Sequence, residues 1–113
     1  MGYRFEAYEI ALESVAALRP VLDQLARRDR DLADQMRRAA SSVALNLAEG
    51  ARRVGRDRLH FYRIAAGSAA EVRAALAVAR AWGCLDRVAE VEVLLDRELA
   101  MLWRLTHGTR PGP

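Results

Sequence analysis

Lysine is missing from this sequence: all 18 basic residues are arginine. A GC-rich coding sequence is the simplest source of that bias. Its physical consequence is that every one of these side chains has the planar guanidinium suited to pairing bidentately with carboxylate or phosphate and to stacking on bases. Cysteine occurs once, at Cys84, which excludes an internal disulfide and leaves the thiol as a small apolar side chain. Proline occurs three times, two of them in the last three residues, and strand-type alternation is absent, so a β fold is not expected. No apolar run approaches the roughly 20 residues of a membrane span. Met1 to Glu6 enters a charged amphipathic segment without an apolar core or cleavage site, and Glu6 stands where a myristoylation pattern has Ser or Thr. A cytoplasmic protein without a membrane partner is expected.

The chemistry-bearing motifs are missing too. There is no Glu-x-x-His, no G-x-S-x-G elbow and no Walker loop. His60 and His107 lie far apart, and Asp57 with His60 is an isolated pair, not a metal-ligand spacing. Ser41, Ser42 and Ser68 sit among small residues in helical segments, where hydroxyls bond backbone carbonyls. No catalytic residue, metal or cofactor is assigned, and a non-enzymatic protein is expected.

What is present is helix. The 113 residues suit one domain, and Ala and Leu dominate. Phe5, Tyr8, Leu12, Val15, Leu18, Leu22 and Leu25 recur at steps of three and four, which predicts a helix over about 4–27, kinked or broken by Pro20 near residues 16–20. Asp31 is the expected N-cap of a second helix over 31–51, carried by Leu32, Met36, Ala39 or Ala40, Val43 and Leu47. Gly50 to Gly55 is its punctuation. A third helix, 56–82, reads through Leu59, Phe61, Ile64, Ala65, Ser68, Val72, Ala75, Leu76 and Ala79. A fourth, 86–106, starts at Asp86 and reads through Val88, Val91, Leu95, Leu99, Leu102 and Leu105. One domain, 1–107, with a disordered tail, 108–113, follows. The architecture is all-α: an up-down-up-down antiparallel four-helix bundle.

An antiparallel hairpin turning near residues 54–55 sets Ser42 level with Gly67, predicting close backbone approach there. It sets Arg38 level with Glu71, predicting an ion pair partly inside the bundle. Arg37 is the alternative partner of Glu71, and Asn46 and Ser42 are further donors. Glu49 reads as a salt-bridge partner near a helix end.

Two stretches resemble a family signature: Gln35 to Gly50 (QMRRAASSVALNLAEG) and Phe61 to Glu71 (FYRIAAGSAAE). Together they are similar to the four helix bundle protein family, encoded in bacteria in intervening sequences of large-subunit ribosomal RNA genes and elsewhere. The similarity runs from Phe5 to about Leu105. The structural motif is Arg37, Arg38, Asn46, Glu49, Gly50, Gly67 and Glu71. Where the family commonly has Ile-Pro-x-Asn-Ile-Ala-Glu-Gly, this chain has Val43-Ala44-Leu45-Asn46-Leu47-Ala48-Glu49-Gly50, and the lost proline predicts a straighter second helix. The resemblance implies a ring-like homo-oligomer, typically a pentamer, with no established enzymatic activity. A related branch, the accessory variability protein of diversity-generating retroelements, implies association with nucleic acid. Independently, Ile10, Leu45, Val78, Leu94 and Met101 lie off the apolar seams, and Trp82 and Trp103 lie near helix ends, as surfaces that self-associate do.

Charge is unevenly placed. Residues 27–63 hold ten arginines against five acids, whereas 64–113 hold six against six. Arg52, Arg53, Arg56, Arg58 and Arg63 gather at one hairpin end, with Tyr62 and His60 beside them for stacking, and local pairs of Asp57 with Arg53 or Arg56 as the competing reading. Two functions result: weakly sequence-selective binding of RNA or DNA, or a protein–protein adaptor that docks a larger partner through apolar surface.

Overall fold

The structure, a computed structural model, describes residues 5–108, which form four α-helices and no strand. They are α1 (Glu6–Ala26), α2 (Arg30–Ala51), α3 (Gly55–Ala81) and α4 (Ala89–His107). Each packs on two others, in the closed cycle α1–α2–α3–α4–α1. No helix among the described residues is long and apolar enough to cross a membrane. Of the expected tail, residues 109–113 lie outside the described residues.

The helix ends follow local chemistry. α1 runs unbroken through Pro20, so of the expected kink or break the break does not occur. Ala16 and Pro20 are both exposed, so the carbonyl that proline leaves unpaired faces water. Asp29, not Asp31, caps α2: its extended backbone aims the carboxylate back at the helix, and it accepts from Leu32 N at 3.0 Å. Asp31 falls in the first turn, where its charge still complements the dipole. Beyond the end of α3, Gly83, with φ of 78°, makes a Schellman turn: Cys84 N donates to Ala79 O and Gly83 N to Arg80 O, each at 2.9 Å. α4 starts after Val88, later than the expected Asp86, because the link first turns inward to bury Leu85 in the core.

The core divides along the bundle into two clusters. One joins Leu18, Leu25, Met36, Val72, Leu76 and Val91 toward the α3–α4 link. The other joins Ala7, Ala11, Val43, Leu47, Tyr62 and Leu102 toward the α2–α3 turn. On α1 the buried line is Ala7, Ile10, Ala11, Ser14, Leu18, Val21 and Leu25, so Ile10 is core and Leu12 is exposed, the reverse of the expectation. Phe5, Tyr8, Val15 and Leu22 flank that line half-buried. Ile64 is likewise exposed, with Ala65 and Ala69 buried beside it.

Candidate nucleic-acid interface

The α2–α3 turn, Arg52 to Val54, brings together the five candidate arginines, but not in one role. Arg53 places Nε and Nη2 on Glu49 Oε2, at 2.8 and 2.7 Å, and its guanidinium lies 5.3 Å from the centre of the Phe61 ring. Glu49 is therefore the salt-bridge partner its position predicts. Arg58 reaches back to donate to Gly50 O and Ala51 O, each at 3.2 Å, closing the C-terminal end of α2. Arg52, Arg56 and Arg63 are exposed, and their side chains carry no hydrogen bond or ion pair among the described residues. Asp57 pairs with neither Arg53 nor Arg56. Tyr62 is unavailable for stacking: it is buried, against Phe5 at 5.9 Å between ring centres. His60 is exposed, its ring edge-on to Phe61.

The family-motif residues form the α2–α3 seam. Ser68 donates to Ser42 Oγ at 2.8 Å, and Asn46 Nδ2 donates to Ser42 Oγ and O, each at 2.9 Å. The expected level of Ser42 is thus off by one residue: Ser68 faces it, not Gly67. Gly67 points outward, and a Cβ there meets nothing within 4 Å. The glycine that close packing requires is Gly50, where a Cβ would stand 2.6 Å from Tyr62 Cε1. The expected buried ion pair of Arg38 and Glu71 does not form. Both are exposed, as is Arg37, and Glu71 accepts from Gln35 Nε2 at 3.3 Å. The one-residue shift rotates Glu71 about 100° round α3, away from the core and onto the outer seam.

The ionisable group that the sequence reading passed over is Glu98. α4 sets it in line with Val91, Leu95 and Leu102, and it is 1% exposed with neither carboxyl oxygen hydrogen-bonded among the described residues. It lines a cavity of about 10 Å³ with Ala11, Ser14, Leu18, Ala40, Val43, Val72 and Leu95, where the two core clusters meet. Such a void admits about one water. Burial pushes the Glu98 carboxyl up from 4.5 to about 8, so at neutral pH it keeps its proton. Among the described residues no three His, Cys, Asp or Glu side chains gather as a metal site.

The family model for "23S rRNA-intervening sequence protein" matches residues 4–104, nearly the whole chain. No curated protein matches it.

Proposed function

The chain belongs to the 23S rRNA-intervening sequence protein family, and on that premise we propose a non-enzymatic, cytoplasmic, up-down-up-down helical bundle that assembles into a homopentameric ring. The arginine-bearing end of each bundle associates with RNA or DNA, with weak sequence selectivity. The observation that carries the binding is the set of exposed, unpaired guanidinium groups of Arg52, Arg56 and Arg63 beside the α2–α3 turn. Repeated around a ring, they multiply the attraction for phosphates, while no arrangement of base-reading groups accompanies them.

Assembly is supported by the outer face of α3. Ile64, Gly67, Ala74 and Val78 are exposed at helical spacing, and Leu45 of α2 is 68% exposed near the same seam. The same apolar surface favours a second reading, an adaptor that docks a larger protein without nucleic acid. Native mass spectrometry of protein purified at low salt without nuclease separates the readings. A pentamer carrying nucleic acid that leaves as salt rises supports the first, because arginine–phosphate contacts release counterions. A clean pentamer favours the adaptor, and a clean monomer overturns the ring.

A further inference from the structure

The α3–α4 seam is laced by ion pairs near the α3–α4 link: Arg80 with Glu92 at 3.2 Å, and Arg73 with Asp96. Residue numbers fall on α3 as they rise on α4, so the two helices run antiparallel. Trp103 follows Asp96 by seven residues and lies on the same line of α4. Continuing the register brings Trp103 and His107 level with the α3 turn from Tyr62 to Ala66, which holds Arg63. Here the charge pairs stop, and the seam ends in an exposed aromatic pair.

That pair is ordered. The Trp103 and His107 rings stack 4.3 Å apart at an interplanar angle of 13°, with Trp103 58% exposed. His107 Nδ1 lies 2.9 Å from Trp103 O; a carbonyl only accepts, so Nδ1 carries the proton and fixes the ring. The stretches of α3 and α4 beside the pair carry no exposed acid. From Arg58 to Ala70 the chain has no acid, and from Arg97 to His107 the one acid is the enclosed Glu98. Arg56 and Arg63, seven residues apart on one stripe of α3, and Arg104 beside Trp103 are exposed without a side-chain partner among the described residues.

Resting on the nucleic-acid reading above, we propose that Trp103 and His107 are the base-stacking half of a site for single-stranded nucleic acid, whose phosphate half is Arg56, Arg63 and Arg104. A ring takes a base on its face only where that base is unstacked, which a duplex does not offer. Aromatic rings flanked by arginine are the sequence-tolerant way to hold a single strand.

Trp82→Phe leaves Trp103 as the sole tryptophan, replacing the exposed indole just beyond the far end of α3 by phenyl. Titrating this variant at low salt with labelled oligouridylate should quench Trp103 emission, and duplex RNA of equal length should quench it far less. Trp103→Ala should weaken oligouridylate binding about ten-fold with an unchanged salt slope, whereas Arg63→Ala should lower the slope by about one. Unchanged thermal unfolding of Trp103→Ala checks that the fold is intact. Oligouridylate binding seen by anisotropy but with silent Trp103 emission and no effect of Trp103→Ala overturns the stacking site and leaves the arginine-based reading standing. Emission that changes with protein concentration alone assigns Trp103 to self-association and also overturns the site. Failure of both oligonucleotides to bind at low salt overturns both readings.

Discussion

A carboxyl group enclosed by alanine, valine and leucine keeps its proton, and for Glu98 this links stability to pH. The unfolded chain releases that proton near pH 4.5, whereas the folded protein holds it to about 8. Between these values the folded state binds the extra proton, so this group's contribution is fully present below about pH 4.5 and is lost as pH rises through about 8, with a slope near 1.4 kcal/mol per unit. Glu98→Gln should abolish that slope and be the more stable protein at alkaline pH, by several kcal/mol. Urea unfolding of both proteins at about pH 5 and about pH 9 tests this, and parallel pH dependences would sink it. The position was legible: 91, 95, 98 and 102 follow the helical period. Reading the fourth helix by its large apolar side chains steps from Leu95 to Leu99 and misses the acid between. The same habit misplaced the glycines. Gly50→Ala should cost about 1–3 kcal/mol, because its Cβ meets the buried Tyr62 ring, while Gly67→Ala, outward on α3, should stabilise by about 0.5–1 kcal/mol. Thermal unfolding of the pair reads both signs in one experiment.

The α2–α3 hairpin shows how a basic cluster splits between holding a turn and facing solvent. Five arginines within twelve residues read as one patch in the sequence, because charge and spacing alone do not tell which guanidinium finds a carbonyl. Arg58 finds two, on Gly50 and Ala51, and so serves the end of α2. Arg58→Ala should therefore lower stability by about 0.5–1.5 kcal/mol, whereas Arg52→Ala should stay within about 0.5 kcal/mol of the parent. Equal losses in chemical denaturation would refute the division. It also decides how binding data are read: weaker nucleic-acid binding by Arg58→Ala reports a loosened turn, and weaker binding by Arg52→Ala or Arg56→Ala reports a lost phosphate contact. The helices themselves were visible from the apolar period. Their ends were less so, since a cap depends on one backbone conformation: Asp29 and Asp31 are equivalent by composition, and only the extended backbone at Asp29 selects it. Rotation about each axis was the least legible, because alanine supplies both buried and exposed positions on α3 and gives the period little contrast.

That lack of contrast on α3 bears on assembly. A helix that buries Ala65, Ala69, Val72, Leu76 and Ala79 on one side and shows Ile64, Gly67, Ala74 and Val78 on the other has two apolar faces and only one partner face within the chain. Small residues let backbones approach, and Ile64 and Val78, fourteen residues apart, stand four turns from each other at either end of that strip. Glu71 lies between them, tied to Gln35 and half-way along the face, so a mating surface must supply a donor there. If the strip is a subunit interface, Val78→Glu places a second carboxylate on it and should yield a folded monomer, with far-ultraviolet circular dichroism preserved, since Val78 is 43% exposed and outside both core clusters. Leu12→Glu, on an exposed α1 position away from the strip, is the matched control and should leave assembly intact. Sedimentation velocity of the two variants decides the matter. An oligomer that survives Val78→Glu but not Leu12→Glu would move the interface from α3 to α1. The Trp103 site, on α4 at the α2–α3 turn end, would then have to be reconsidered only if it too changed with assembly, because the register that places Trp103 level with Ala66, one turn from Arg63, is internal to one chain.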